Sequence, residues 1–252
     1  MLTLHALTTG YRHTIISQHL NATLPQGTLT ALLGTNGAGK STLLRTMARF
    51  QPPLAGSISW QGTDTALLSA RQLARTMSVV LTFKPEAEAL TAAEVVEMGR
   101  IPYTTMLSAT SEADRQAVEQ AMQLTHTTPF AYRPISTLSD GERQRVFIAK
   151  ALAQNTPVIL LDEPTAFLDF PAKIATMRLL KKLAHDAQKT ILLSTHDVEL
   201  ALHMADNLWL LNQQTLTSGS PQLLAANGCI GRFFNTEGVQ FDAATMRFDM
   251  GD

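Results

Sequence analysis

Short apolar runs closed by glycine, proline or small polar residues alternate along this chain with longer stretches in which apolar residues recur every three or four positions. The first pattern is that of buried strands and the second that of helices packed on one face. Residues 1–33 read as strand-rich, and Thr28-Leu29-Thr30-Ala31-Leu32-Leu33 is an apolar run that stops at Gly34. Leu43 to Phe50 reads as a helix halted by Pro52-Pro53. Gly56-Ser57-Ile58-Ser59-Trp60-Gln61-Gly62 alternates between two glycines and predicts a strand, and Ser78-Val79-Val80-Leu81 predicts another.

The pattern changes at about residue 84. Thr91-Ala92-Ala93-Glu94 is a capping box that opens a helix through Met98. Ser111-Glu112-Ala113-Asp114 opens a second, with Ala117, Ala121 and Leu124 at near-helical spacing. No core strand is visible between 84 and 136, so this region reads as a helical insertion. Strands resume at Val158-Ile159-Leu160-Leu161 and Thr190-Ile191-Leu192-Leu193-Ser194, separated by a helix over about 171–187. Strand, helix, strand in that order predicts a parallel sheet. Residues 216–252 form a tail with weak patterning, and no internal repeat or low-complexity segment is present.

Composition narrows the class. The chain has 252 residues, of which 45% are hydrophobic and 16% charged, values of an ordinary globular protein with a buried interior. A formal net charge of −1 offers no overall attraction to nucleic acid or acidic lipid, so no nucleic-acid partner is expected. Cys229 is the single cysteine, which fits a reducing compartment, and its plainest use is as a small apolar filler. The N-terminus lacks the basic start and apolar stretch of a signal peptide. No apolar run approaches the ~20 residues of a membrane helix. If the protein serves a membrane process, another chain is expected to cross the bilayer.

Three segments carry chemistry. Gly34-Thr35-Asn36-Gly37-Ala38-Gly39-Lys40-Ser41-Thr42 has the spacing of a phosphate-binding loop and lies between a predicted strand and a predicted helix. Glycines let the backbone turn its N–H groups toward phosphate oxygens, and the helix presents its positive end. Lys40 supplies a point charge for the β- and γ-phosphates, and Ser41 a hydroxyl ligand for Mg²⁺. Alone, this loop does not separate a kinase, a GTPase and a transport ATPase.

Val158-Ile159-Leu160-Leu161 leads into Asp162-Glu163, placing two carboxylates at the end of a strand buried on both faces. Asp162 is placed to hold Mg²⁺, and Glu163 is the candidate base for an attacking water. The same pair, followed by Pro164-Thr165, also describes an acidic helix start. Ser139 to Glu142, within Leu138-Ser139-Asp140-Gly141-Glu142-Arg143-Gln144-Arg145, is a capping box opening a helix through Ala153. Its N–H groups and the Ser139 hydroxyl suit a phosphate, although the same pattern also describes an ordinary capped helix.

At this last segment the chain resembles the ATP-binding-cassette family, whose signature reads leucine, serine, glycine, glycine, glutamine in most members. Ser139 and Gly141 match, whereas Asp140 and Glu142 depart. The resemblance implies that Ser139, Asp140, Gly141 and Glu142 face the γ-phosphate of an ATP held by a partner subunit, so that the ATP-bound state is a homodimer. It implies further roles: His196 as the switch histidine, Asp169 in Ala166-Phe167-Leu168-Asp169 as the aspartate coupling two ATP sites, and Tyr11 as the ring stacked on adenine. Tyr11 also fits plain packing. Where the family has a glutamine reaching Mg²⁺ and sensing a membrane partner, this chain has Thr82. The six other histidines show no metal-ligand pattern.

The resemblance covers about residues 1–215. It implies an α/β fold: a P-loop NTPase (RecA-like) core with an N-terminal antiparallel β-subdomain and an inserted α-helical subdomain. The single nucleotide-binding domain, 1–252, would divide into a core with its β-subdomain (1–83 and 146–215), a helical subdomain (84–145) and a tail (216–252). Glu97-Met98-Gly99-Arg100, Leu138–Arg145 and Ser194-Thr195-His196-Asp197-Val198-Glu199-Leu200-Ala201 look like stretches of importer ATPases for iron–siderophore complexes, haem and vitamin B12. On that basis the expected activity is ATP hydrolysis with ATP and Mg²⁺. The expected partners are two transmembrane permease subunits and, indirectly, an extracytoplasmic substrate-binding protein. The expected place is cytoplasmic, peripheral on the inner face of the cell membrane. An exporter ATPase or a soluble, non-transport cassette protein remains the alternative. Phe83, Ile101, Tyr103, Met106 and Leu107 are candidates to line a groove for the membrane partner, or else are core residues.

Overall fold

A computed structural model describes the chain apart from residues 13, 82–88, 105–110, 213–214, 237 and 251–252. Thr82, Phe83, Met106 and Leu107 therefore lie outside the described residues. Strands β1 (Leu2–Tyr11) and β2 (Thr14–Leu24) form an antiparallel hairpin, and β3 (Leu29–Leu33) follows. Helix α1 (Lys40–Met47) comes next, then β4 (Ala55–Trp60) and β5 (Thr63–Asp64). Helix α2 (Ala70–Thr76) leads directly into β6 (Met77–Val80). Helices α3 (Ala92–Glu97), α4 (Glu112–Leu124) and α5 (Asp140–Ala153) each start at a capping box, with Thr91, Ser111 and Ser139 as N-caps. Strand β7 (Val158–Asp162), helix α6 (Phe170–Asp186) and strand β8 (Thr190–Ser194) form the expected βαβ unit. Helix α7 (Val198–Met204), strands β9 (Asn207–Leu211) and β10 (Leu216–Gly219), helices α8 (Pro221–Ala226) and α9 (Cys229–Phe234), and the hairpin β11 (Val239–Asp242)–β12 (Arg247–Met250) complete the chain.

The central sheet runs β10-β9-β3-β8-β7-β6, parallel except where β10 returns antiparallel along β9. Apart from β10, its strands are apolar at most positions because both faces are covered. Leu32, Leu160, Leu192, Trp209 and Leu211 face α1 and the N-terminal sheet β2-β1-β4-β5. Their sequence neighbours Leu33, Leu161, Leu193, Leu208 and Leu210 face α6, α7 and part of α5. A period of two thus splits one continuous apolar run between two cores. A third core joins α3 and α4 to α5 through Val95, Val96, Val118, Met122, Val146 and Ala149. Helix α5 contributes Ile148 and Ala151 to the sheet-side core and Val146 and Ala149 to the helical one, so it ties the two together.

Two arginines of α2 fasten the start of the helical layer. Arg75 Nε and Arg71 Nε both donate to the Pro102 carbonyl at 2.9 Å. Between them and the layer, Tyr103 lies 5.0 Å from the Arg75 guanidinium and 4.0 Å from that of Arg100. Ile101 beside it is largely exposed. No described helix is long and apolar enough to cross a membrane.

Candidate active site

Strands β3, β8 and β7 are neighbours at the centre of the sheet, and their carboxyl ends deliver the phosphate loop, Ser194 and Asp162 to one edge. This is where open parallel sheets bind ligands. The loop turns tightly after β3, with the Ala38 N–H donating to the Thr35 carbonyl at 3.1 Å. Gly39 then adopts φ +97°, and a Cβ there would stand 2.5 Å from Ile16 Cγ2, so only glycine lets β2 pack on the loop. Asn36, Gly37 and Ser41 are exposed at the mouth, while Ala38 and Thr42 are buried beneath it.

Lys40, the first residue of α1, is buried although charged. Its Nζ donates to the carbonyl of Gly34 at 2.8 Å and that of Thr35 at 3.4 Å, so the loop wraps its own lysine. Burial pushes the ammonium's pKa below its ordinary value, and the nearby carboxylates of Glu163 and Asp162 oppose that shift.

Asp162 ends β7 directly opposite Ser194 and is almost fully buried. The Ser194 hydroxyl donates to Asp162 Oδ1 at 2.7 Å and accepts the Glu163 N–H at 2.9 Å. Glu163 has φ +52°, a left-handed backbone rarely taken by residues with a Cβ. Its carboxyl is held above the ordinary glutamate range by burial, against the pull of His196 and Lys40 and with a push from Asp162. His196 Nε2 stands 3.1 Å from Glu163 Oε1, an ion-pair distance without hydrogen-bond alignment, for that buried oxygen has no hydrogen-bond partner among the described residues. A buried acceptor left open in this way is what a positioned water or a cation-bound water would satisfy.

Tyr11 ends β1 half-exposed, and its hydroxyl accepts a long hydrogen bond of 3.4 Å from Thr42 Oγ1. The ring is therefore within reach of the loop's helix, as a ring stacked on a base bound there requires. Asp169 caps α6, its Oδ1 accepting from the Ala172 N–H at 2.9 Å.

Ser139–Glu142 lies apart from the loop. Ser139 caps α5, accepting from the Glu142 N–H at 3.2 Å, while Glu142 Oε2 accepts from the Ser139 N–H at 2.9 Å. That amide is the first cause of the low pKa of Glu142, and Arg133 stands 3.3 Å from its other oxygen. Asp140 is paired with Arg143 at 3.2 Å. Both acids that depart from the signature are thus matched by an arginine of the same chain. Gly141 lies against Leu168 and the Phe167 carbonyl, so this helix tip and the loop holding Asp169 share one surface. Ser139 and Asp140 are exposed there.

The sequence reading missed Ser194, Arg133 and Arg143. For Arg143 the signal was present as an acid–base pair three residues apart on a helix. Ser194 was visible only as a polar residue closing an apolar strand.

The residues present fit Mg²⁺. Ser41 and Asp162 offer oxygen donors, and no group of three or more His, Cys, Asp or Glu side chains suited to a metal occurs among the described residues. Mg²⁺ uses few protein oxygens and takes its remaining ligands from phosphates and water.

Residues 17–166 match the ABC transporter family. The chain is 38% identical over 94% of its length to the achromobactin transport ATP-binding protein CbrD of Dickeya dadantii, covering 88% of that protein. It is 39% identical over 92% of its length to the petrobactin import ATP-binding protein FpuD of Bacillus anthracis, covering 85% of it. Among solved structures it is similar to a dimeric ATP-binding cassette in a post-hydrolysis state bound to ADP and Pi. That likeness has a TM-score of 0.78 at 27% identity and covers 88% of this chain and 99% of the other.

Proposed function

The chain belongs to the ABC transporter family, and from that premise we propose that it is the ATPase that powers import of an iron chelate of the siderophore class. It binds and hydrolyses ATP. The observation that carries the hydrolytic reading is the gathering of Lys40, Asp162, Glu163 and His196 at the ends of neighbouring strands. The names of its relatives support the cargo class.

In the proposed mechanism the phosphate loop holds ATP by its N–H groups and by Lys40, and Tyr11 stacks on adenine. Ser41 and Asp162 would hold Mg²⁺, which when bound offsets the negative charge of the phosphates. Glu163 orients and polarises the attacking water, with His196 beside it. The exposed tip of α5 supplies Ser139 and the following N–H groups to the ATP of a second copy, and Asp169 lies at the same contact. ATP then favours the closed homodimer through contacts made only in that state. Each dimer serves two transmembrane permease subunits at the inner face of the cell membrane. An extracytoplasmic binding protein delivers the chelate. Residues 84–145 act as the helical subdomain that meets the permease, and Thr82 stands in sequence where the family's glutamine senses that partner.

Two measurements test this. Glu163→Gln is expected to slow hydrolysis by at least ~10²-fold, the scale of losing a general base. Purification from native membranes in mild detergent is expected to bring along a polytopic permease that takes ferric chelates. Recovery with an exporter's membrane subunit, or with no membrane subunit, would leave the ATPase and overturn import.

A further inference from the structure

We propose that Ser194 is a positioning residue for ATP hydrolysis, whose one hydroxyl sets both the Asp162 carboxylate and the turn that aims Glu163. The inference rests on the ATPase reading above. Ser194 is fully buried at the end of β8, after Ile191, Leu192 and Leu193, where packing alone calls for another apolar residue. A hydroxyl has one proton and two lone pairs. Here the proton goes to Asp162 Oδ1 at 2.7 Å and a lone pair takes the Glu163 N–H at 2.9 Å. Two successive residues of β7 and its exit are therefore tied to a single atom of the neighbouring strand.

Each tie has a separate consequence. The bond to Asp162 commits one oxygen of the carboxylate to Ser194 and so helps to orient it. The bond from Glu163 secures a left-handed backbone at φ +52°, a conformation that persists only where its surroundings hold it. That turn carries the Glu163 carboxylate to within 3.1 Å of His196 Nε2. Without the hydroxyl, Asp162 loses one of the bonds that orient it and Glu163 loses the anchor of its turn. Metal affinity and the chemical step should both weaken, while the phosphate loop, which Ser194 does not bond, keeps its hold on nucleotide.

The test compares the full-length wild type with Ser194→Ala and Ser194→Cys, the latter close to serine in shape but a weak donor. Turnover is measured together with Mn²⁺ affinity in the presence of ADP, read by electron paramagnetic resonance. Both variants are expected to lose about tenfold or more in kcat, as for a lost hydrogen bond to a charged group, with KM for ATP within about twofold. Mn²⁺ is expected to bind about tenfold more weakly to both. If Ser194→Ala fails to fold, Ser194→Cys carries the test. Either variant keeping kcat and Mn²⁺ affinity within about twofold of wild type would overturn the proposal, as would a loss of kcat with Mn²⁺ affinity unchanged. A wild type without ATPase activity would instead count against the ATPase reading, and the Mn²⁺ affinities would still decide the role of Ser194.

Discussion

His196 Nε2 stands 3.1 Å from Glu163 Oε1, beside a carboxyl whose burial resists its ionisation. A raised pKa in the folded state means that the folded protein holds this proton more tightly than the unfolded chain does. Ionising Glu163 therefore subtracts stability, fully so above the raised value and not at all below the ordinary value of 4.5. Glu163→Gln, which imitates the protonated form, should raise the melting temperature of the nucleotide-free protein at neutral pH. The advantage should shrink as the pH is lowered toward 4.5. Melting curves of both proteins across that range check the sign. A Gln variant less stable at neutral pH would mean that the ionised carboxylate is held by His196 and Lys40 more firmly than burial opposes it.

Asp140 and Arg143 pair at the exposed tip of α5. A surface pair of this kind contributes less than about 1 kcal/mol to folding, so its importance lies elsewhere. In the proposed dimer the partner's γ-phosphate meets this tip, and Arg143 offsets a carboxylate that would repel it. Arg143→Ala should raise KM for ATP about threefold to tenfold, and Asp140→Gly should lower it. The double variant should resemble Asp140→Gly, because removing the acid removes the need for the arginine. ATP titrations of hydrolysis check the order. Additive effects of the two changes would show that Arg143 acts independently of Asp140.

What was legible in the sequence is what depends on near neighbours. The glycines around Lys40, the carboxylates after Val158–Leu161 and the capping boxes at Thr91, Ser111 and Ser139 each declare themselves within a few residues. Strand β9 did not, because Leu208-Trp209-Leu210-Leu211 is a short apolar run without alternation, equally suited to a buried helical turn. The order within the tail was hidden for a related reason. Its hairpin is held by aromatic contacts with α9 rather than by a strong local period. Glu163 was visible as a carboxylate, but its left-handed backbone and its approach to His196 exist only once β7 and β8 lie side by side. Ser194 depends on that same adjacency.

Arg100 joins three parts of the helical layer. Its Nε donates to Asp114 Oδ1 at 2.8 Å, its Nη1 donates to the Ala153 carbonyl at 2.7 Å, and its guanidinium lies over Tyr103. Both charged side chains are nearly buried, at 12% and 9% exposure, so removing one partner strands the other. Arg100→Ala should destabilise the protein by about 2–3 kcal/mol, below the full range for a broken buried pair, since Ser111 still serves Asp114. Asp114 is held below its ordinary value of 3.8 first by the Ser111 hydroxyl and then by Arg100. The stability drawn from its ionised form is complete above 3.8 and is lost as the pH falls through the depressed folded value. The deficit of Arg100→Ala should accordingly stay constant from neutral pH down to 3.8 and narrow only below it. Denaturant titrations at several pH values follow it directly.

The tail poses a choice between packing and control. Phe248 meets Phe241 at 5.1 Å and Phe234 at 6.0 Å between ring centres, and all three pack on the core that holds α6 and α7. Edge-to-face and tilted contacts of this kind add to the burial of the rings. Phe248→Ala should therefore lower stability by about 1–3 kcal/mol, less than for a fully buried phenylalanine because the hairpin is half-exposed. The same hairpin, however, borders an open cleft of about 580 Å³ with Phe170 next to Asp169 and with Asp197 next to His196. If the tail only packs, kcat well below the melting temperature stays at the wild-type value. If it also steers α7, kcat changes in step with the hairpin rather than with the melting temperature. Measuring both quantities for Phe248→Ala and for Phe233→Ala separates the two. The second change disturbs the same aromatic cluster from α9, away from the cleft. Packing predicts that both variants lose stability and neither loses rate, and the contacts of Phe248 with the core favour that outcome.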